Sequence, residues 1–454
     1  MKALFNIRIA LFTNAILFFL ILLSCSGKRT SLLPTQAITY NQITRTVCKA
    51  DNTQSYEVYL PTIYSNQKKW PVIFLFDSHG DGKFAVEHFK EAAERFGYVM
   101  IGSNNSKNGL QTLDHTLDIL INDAQKAFST DISRQYAAGF SGGGRVASYL
   151  AMKTGNIKGI ITCGAGSPEL NPQNISNRFD IYAIAGREDF NYDEVMGLSQ
   201  QMDRTGWRYM TIGFDGGHEW PSANNMTNAV QWFQFNAMKD ELIPKDEQLL
   251  KQELDSTMLR CENYLDKNRY IRAADECRIG IASFNGLLNV KKLNKKLEEI
   301  ENLEGYRAEK QKEMQVKYEE QQLRKEFLES FTNRDLDWWT TELQNLANKT
   351  ANEQDIAIRQ MYKRVKGFLG IVCYSYTGQA ITEKNEMLAR KCIGIYEIVE
   401  PNNSDCFFYK AQLFDRKNKP REAADALKKA IAFGYKDMAK IKGTFSTMVL
   451  QLAL

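Results

Sequence analysis

The chain has 454 residues, which is too many for one ordinary domain, so two or three domains are expected. Its content of 43% hydrophobic and 25% charged residues is typical of a globular protein. The formal net charge of +4 is small for this length and argues against nucleic acid as a partner.

The N-terminus carries the pattern of an export signal. Lys2 and Arg8 precede an apolar run over 9–23, and small residues follow it. The tetrad Leu-Leu-Ser-Cys that ends at Cys25 resembles a bacterial lipobox, in which the cysteine is lipidated and becomes the mature N-terminus. An ordinary signal peptide or a single membrane anchor is the alternative. We therefore expect a lipoprotein signal peptide over 1–24 and a protein held by acyl chains at a membrane of the bacterial cell envelope, facing the periplasm or the surface.

Seven scattered cysteines remain beyond Cys25. Neither a CxxC pair nor a Cys/His cluster occurs among them, so we expect no metal site and no cofactor. An exported protein can form disulfides, and Cys261 with Cys277 is the first pair to test. The odd number leaves at least one free thiol.

A tether and N-terminal segment is expected over 25–54, and the region 55–240 then alternates strands with helices. The predicted strands are 56–60, 71–76, 98–101, 135–138, 159–163 and 181–185. The predicted helices are 84–96, 113–128, 145–152 and 229–238. The first strand alternates as an edge strand does, and the last helix is expected to pack over the sheet edge. This alternation predicts an α/β domain with a doubly wound, mostly parallel sheet and helices on both faces.

The most informative stretch is Gly-Phe-Ser-Gly-Gly at 139–143. It lies between the strand predicted at 135–138 and the helix predicted at 145–152. A serine between glycines at a strand-to-helix turn is the layout of a nucleophile elbow. Ser141 is therefore the candidate nucleophile, and it needs a base because a serine hydroxyl is a poor nucleophile near neutral pH.

The candidate base is His218, one of four histidines in the chain. His88 and His115 fall inside predicted helices. His218 lies on a glycine-hinged loop between a strand and the last predicted helix, where an α/β-hydrolase places its base. The small number of histidines leaves few other residues for this role.

The base in turn needs a carboxylate to fix its tautomer and to stabilise the imidazolium. Asp189 follows the strand predicted at 181–185 and is the candidate acid. Three other carboxylates are rivals: Glu188, Asp193 and, farther away, Asp215. The chain order of serine, aspartate and histidine is that of the α/β-hydrolases.

An oxyanion hole is the third requirement of this chemistry. The N–H of Gly142 should supply one donor, and the loop 77–82 should supply the other, through the N–H of Asp81. His79 is expected to shape this loop rather than to act as a base. The carboxylates of Asp77 and Asp81 would oppose a developing oxyanion unless they point away from it.

With these pieces in place, residues 55–239 resemble α/β-hydrolases of the polyhydroxybutyrate depolymerase, feruloyl esterase and dienelactone hydrolase type. The matching motifs are 56–61, 79–80, 131–143, 186–189 and 216–221. The resemblance implies an α/β-hydrolase fold and a serine hydrolase, most of all a carboxylic-ester hydrolase. It also implies that Ser141 is the nucleophile, Asp189 the acid and His218 the base.

The substrate is only coarsely indicated. The interval between Ser141 and Asp189 is too short for a large lid, which argues against lipase activity on bulky fats and predicts an open cleft. The polar loop 103–109 suits a hydroxyl-rich acyl group or a sugar, although a plain solvent loop is an equal alternative. A small ester or an acylated saccharide is the expected substrate, and a serine peptidase is the variant left open.

Helical periodicity with dense charge replaces the strand pattern after residue 240. We expect a charged helical region over 245–350. Within this region, the pattern over 291–328 predicts a long solvated helix or a pair of helices. A run of charged residues like this one usually forms a solvent-exposed face, so we assign it no binding role.

The segment 351–454 carries spacings that resemble a tetratricopeptide unit of ~34 residues. The positions are Phe407, Ala411, Phe414, Ala423, Leu427 and Ala430, the earlier set Ala380, Ala389, Ile393 and Tyr396, and a weaker match over 261–277. A generic helical bundle is the alternative. The repeats suggest an envelope protein as partner, and the rival function is an interaction or scaffold lipoprotein with an inactive hydrolase domain.

Overall fold

The computed structural model describes residues 39–110, 112–166, 177–203 and 205–454. The predicted signal peptide and the lipidation site Cys25 lie outside these residues. Within the described ranges, no helix is both long enough and apolar enough to cross a membrane. Thr39–Leu454 belong to one compact unit, which contains a sheet followed by a long helical region.

Eight strands form the sheet. They are β1 (Ile43–Val47), β2 (Ser55–Tyr59), β3 (Trp70–Phe76), β4 (Val99–Ser103), β5 (Thr130–Phe140), β6 (Ile157–Cys163), β7 (Asp180–Gly186) and β8 (Tyr209–Phe214). Their order is β1-β2-β4-β3-β5-β6-β7-β8. Only β2 runs against its neighbours β1 and β4, and all other pairs are parallel. The predicted α/β class with a doubly wound, mostly parallel sheet is confirmed.

Helices cover both faces of the sheet. They are α1 (Gly82–Glu87), α2 (Lys90–Phe96), α3 (Leu113–Ala127), α4 (Gly142–Thr154), α5 (Tyr192–Met202) and α6 (Ala223–Lys239). The helices α3, α4 and α5 pack on one face, and α1, α2 and α6 pack on the other. Strands such as β3 are buried along their whole length because apolar side chains meet a helix layer on each side.

Three local expectations were wrong. The strand predicted at 56–60 is not an edge strand, because β1 pairs with it. The helix predicted over 84–96 is two helices, interrupted between α1 and α2. The last helix of the sheet region, α6, packs across the face rather than over the edge, since Phe233 stacks on Tyr136 of the central strand β5 with ring centroids 4.5 Å apart.

Residues 240–454 form eleven helices and no strand, which confirms the predicted all-helical region. They are α7 (Glu247–Asp266), α8 (Tyr270–Phe284), α9 (Lys291–Glu301), α10 (Glu304–Asn333), α11 (Leu336–Asn352), α12 (Ile356–Thr382), α13 (Glu386–Val399), α14 (Ser404–Arg416), α15 (Pro420–Ala432), α16 (Met438–Thr444) and α17 (Thr447–Ala453).

Short connections join several of these helices into hairpins. The pairs α7–α8, α12–α13 and α14–α15 are each linked by three residues, so the paired helices run antiparallel. Ala411 on α14 and Ala423 on α15 are fully buried in a shared core, as small residues between close helices must be. Assignment of these hairpins to the tetratricopeptide family stays a prediction.

The cysteine pair singled out from the sequence lies in the first of these hairpins. The Sγ atoms of Cys261 on α7 and Cys277 on α8 are 3.5 Å apart and unbonded. All seven cysteines in the described part of the chain are free thiols. A disulfide needs about 2.05 Å between the sulfurs, so only a small movement would join this pair.

Candidate active site

The sharp turn between β5 and α4 holds Ser141 in a conformation that few residues adopt. Its φ is 52° and its ψ is −120°, a strained combination for a side chain with a Cβ. The N–H of Ser141 donates to the carbonyl of Cys163 at 2.8 Å, which ties the turn to the neighbouring strand β6. A Cβ on Gly143 would lie 2.0 Å from the carbonyl oxygen of Phe76, so only glycine allows the elbow to approach β3.

Three predicted site residues meet at the carboxyl-terminal edge of the sheet. His218 Nε2 lies 3.0 Å from Ser141 Oγ. His218 Nδ1 lies 2.9 and 3.0 Å from the two carboxylate oxygens of Asp189. With the proton on Nδ1, the ring donates to Asp189 and leaves Nε2 free to accept the proton of the Ser141 hydroxyl.

Two of the three rival carboxylates, Glu188 and Asp215, have other partners, and the third, Asp193, lies in the first turn of α5. The carboxylate of Glu188 accepts from Lys363 Nζ at 2.9 and 3.0 Å. Asp215 pairs with Arg272 on α8. Asp189 is 1% exposed and faces His218 instead, so the geometry selects it among these carboxylates.

The loops that carry the acid and the base are hydrogen-bonded to each other. We call 186–191 the acid loop and 215–219 the histidine loop. The N–H of Glu188 donates to the carbonyl of Gly216 at 2.9 Å, and the N–H of Asn191 donates to Asp189 Oδ1 at 2.8 Å. These bonds hold the buried carboxylate in place, because turning it away would leave its donors unpaired.

Three neighbours of His218 were not predicted. The rings of Phe190 and Phe140 lie 4.4 and 4.7 Å from the imidazole, measured between centroids. Gly164 has φ +58°, and a Cβ there would lie 2.8 Å from Asp189 Oδ2 and 3.2 Å from His218 Nδ1. Only their places in the sequence could have indicated these neighbours. Phe140 and Phe190 are adjacent to the predicted site residues Ser141 and Asp189, and Gly164 follows a predicted strand.

Asn108 lies beside the predicted oxyanion donor Gly142. A Cβ on Gly142 would be 1.7 Å from Asn108 Oδ1 and 3.0 Å from Nδ2, so the amide covers the first residue of α4. The backbone N–H of Asn108 donates to the carbonyl of Ser78 at 2.9 Å. The polar loop 103–109 therefore reaches the elbow, as expected for a loop that lines the cleft.

The two carboxylates near the oxyanion loop have donors of their own. Asp77 is 4% exposed and accepts from the N–H of His79 at 2.8 Å and from Trp220 Nε1 at 3.0 Å. Burial alone would raise the pKa of Asp77, but hydrogen bonds from His79 and Trp220 outweigh it and lower the pKa. The carboxylate of Asp81 accepts from the N–H of Phe84 at 3.0 Å and caps α1. The role of the Asp81 N–H as an oxyanion donor stays a prediction.

A separate cavity lies away from these residues. A cavity of about 390 Å³ lies at the opposite edge of the sheet, lined by residues that include Lys158, Asp180 and Arg208. It contains none of Ser141, Asp189 and His218. Over the described ranges, no group of three or more His, Cys, Asp and Glu residues is arranged to hold a metal ion.

No protein-family model and no curated protein matches the sequence. Among solved structures, the chain resembles FphF, a fluorophosphonate-binding serine hydrolase from Staphylococcus aureus, with 16% identity, coverage of 39% of this chain and 91% of that chain, and a TM-score of 0.33. It also resembles an S-formylglutathione hydrolase from Staphylococcus aureus (14% identity, 43% and 98% coverage, TM-score 0.35). A third is the feruloyl esterase module from Clostridium thermocellum (15% identity, 42% and 86% coverage, TM-score 0.36).

The close approach of the elbow to β3 predicts that Gly143→Ala destabilises the fold. The added methyl group would meet a backbone carbonyl that cannot move aside, and overpacking of this kind costs about 1–3 kcal/mol. Gly197→Ala in the interior of α5 is the matched control, because nothing lies within 4 Å of its Cβ position. It should be neutral or raise stability by about 0.5–1 kcal/mol. Urea unfolding measures both, and a Gly143→Ala protein as stable as its parent would contradict the packing described.

Proposed function

We propose that this protein is a serine hydrolase, most specifically a carboxylic-ester hydrolase, with Ser141, His218 and Asp189 as its catalytic triad. The observation that carries the proposal is the hydrogen-bonded chain from Ser141 Oγ through the His218 ring to the buried Asp189 carboxylate. The strained backbone of the elbow supports it, because such strain concentrates at functional sites.

In this mechanism, Ser141 Oγ attacks the ester carbonyl carbon while His218 Nε2 takes the hydroxyl proton. The carbonyl π electrons move to oxygen, and Asp189 stabilises the imidazolium that forms. Collapse of the tetrahedral intermediate breaks the bond to the alcohol oxygen, which receives the proton from His218. Water then attacks the acyl-enzyme with His218 as base, which releases the carboxylic acid and restores the Ser141 hydroxyl.

The developing oxyanion would be bound close to the first turn of α4. The N–H of Gly142 is the first proposed donor and the N–H of Asp81 the second. The side-chain amide of Asn108 is a further candidate because it covers Gly142. Asp77 remains ionised because its pKa is lowered, and its carboxylate oxygens are directed at the N–H of His79 and at Trp220 Nε1.

The proposed substrate is a small ester or an acylated saccharide. The polar amide of Asn108 beside the elbow suits a hydroxyl-bearing group. Ester and amide substrates with the same acyl group distinguish an esterase from a peptidase, and we expect the ester to be hydrolysed faster.

We also propose that the mature protein is anchored to a bacterial envelope membrane through lipidated Cys25. The lipobox-like tetrad before this residue supports the anchor. In this arrangement the helical hairpins are available to bind another envelope protein.

Replacement of the nucleophile tests the enzyme proposal. Ser141→Ala should lower kcat for p-nitrophenyl acetate by at least about 1,000-fold, because the attacking oxygen is lost while binding groups remain. Ser256→Ala, on α7 far along the chain, is the control and should keep the parent rate. Equal turnover by the parent and Ser141→Ala would refute a Ser141-dependent hydrolase.

The proposed oxyanion hole predicts different effects of substitutions at Asn108 and at Asp81. Asn108→Ala should reduce kcat by about 10²-fold, the lower range for loss of an oxyanion donor. Asp81→Ala should change kcat less than threefold, because its proposed donor is the backbone N–H and its carboxylate serves the α1 cap. Steady-state kinetics measure kcat for both variants. If Asn108→Ala has the same kcat as the parent, the side-chain amide of Asn108 is not an oxyanion donor.

The anchor proposal predicts that Cys25→Ser moves the protein from the membrane to the soluble fraction, because no thiol remains to be lipidated. Ser31→Ala should stay with the membrane and serves as the control. Fractionation with immunoblotting measures the distribution. Continued tight membrane binding of Cys25→Ser would contradict lipid anchoring.

A further inference from the structure

A buried ion pair joins two helices outside the sheet region. Glu320 on α10 is 1% exposed, although its segment was predicted to be a solvated charge run; that prediction is wrong at this position. Arg364 on α12 donates to Glu320 Oε2 through Nε at 2.8 Å and Nη2 at 2.5 Å. Arg324 donates to Glu320 Oε1 at 2.6 Å. A carboxylate this deeply buried is stable only while such partners remain.

The same arginines also bind the backbone of the acid loop. Arg364 Nη1 donates to the carbonyl of Arg187 at 2.7 Å. Arg324 Nη2 donates to the carbonyl of Phe190 at 3.1 Å. These two carbonyls lie on either side of Asp189 in the chain, so Glu320 orients two guanidinium groups that hold the acid from both sides.

A packing contact extends this connection to the base. A Cβ on Gly367 of α12 would lie 3.3 Å from the Phe190 ring, which shows how closely the helix backbone approaches it. The Phe190 ring in turn lies 4.4 Å from the His218 ring. The helix α12 therefore reaches the acid through Arg364 and the base through Phe190.

Two other ion pairs of these helices differ from the Glu320 pair. Lys312 on α10 pairs with Asp355 at the start of α12, and both are partly exposed. Lys363 pairs with the side chain of Glu188, and both side chains are partly exposed, so water weakens this pair. Only the Glu320 pair, among these three, is buried and bonded to the loop backbone.

We propose that Glu320, Arg324 and Arg364 are positioning residues that hold the Asp189–His218 pair in register with Ser141. The inference rests on the proposed hydrolase function and deepens it. The helical region is then a working part of the catalytic centre, and not only a module that binds other proteins.

The test compares two ways of removing the ion pair in the full chain. Arg364→Met leaves Glu320 buried without its main partner and is expected to destabilise the fold as well as the loop. The double variant Glu320→Met/Arg364→Met replaces the Glu320–Arg364 pair, and apolar replacement of a buried pair is often neutral for stability. Arg324 loses its carboxylate partner in this variant, but it is partly exposed to water and keeps the Phe190 carbonyl as an acceptor. Lys312→Met is the matched control, since it breaks an ion pair between the same two helices without contact to the acid loop.

For the double variant, kcat for p-nitrophenyl acetate should fall by about 10²-fold with KM changed less than threefold, because misplacement of reacting groups acts on the chemical step. Arg364→Lys should retain part of the activity, since a lysine keeps one donor. Lys312→Met should match the parent. A folded double variant with the parent kcat would overturn the proposal.

Hydrogen exchange of the acid loop gives a second readout that needs no activity. The amides of Arg187, Glu188 and Asp189 are hydrogen-bonded and should exchange faster in the double variant, while Lys312→Met leaves them unchanged. Unchanged exchange in the double variant would also overturn the proposal. A parent without Ser141-dependent turnover would instead refute the hydrolase function, so the two failures are distinguishable.

Discussion

The burial of the Asp189 carboxylate is the constraint on which the rest of the site depends. A charge taken out of water costs several kcal/mol unless donors surround it. His218 Nδ1 and the N–H of Asn191 are such donors, and they come from two different loops. Moving the two loops apart would take the His218 donor away from a carboxylate that water hardly reaches, so the burial of Asp189 holds the loops together and aims His218 Nε2 at Ser141.

The parallel sheet makes this arrangement possible, and helices of the helical region contact it. Parallel strands end at a common edge, so the loops that carry serine, acid and base meet although the residues are far apart in sequence. The helical region contacts the same edge. Arg272 on α8 pairs with Asp215 of the histidine loop, and Arg324 on α10 and Arg364 on α12 donate hydrogen bonds to the backbone of the acid loop. A further contact joins Lys107 to Asp437 at the start of α16, at 2.8 Å. The helices thus approach the proposed centre from several sides.

The sequence was sufficient for features with local signals. Continuous apolar runs predicted the buried strands, and the glycines around Ser141 predicted the elbow. The strand β1 was missed because its sequence, Ile-Thr-Arg-Thr-Val, is short and largely polar.

Burial of Glu320 could not be predicted, because it resembles the exposed glutamates around it and its partner Arg364 lies 44 residues away. Asn108 was likewise hidden among polar loop residues, since only the fold brings it to Gly142.

The central claim is that Ser141 is an activated nucleophile. Intact-mass analysis after treatment with diisopropyl fluorophosphate, followed by peptide mapping, tests it most directly. The account predicts a single phosphoryl adduct per chain, located on Ser141, because His218 removes its proton and the elbow exposes its oxygen. No adduct, or an adduct on a different residue, would contradict it.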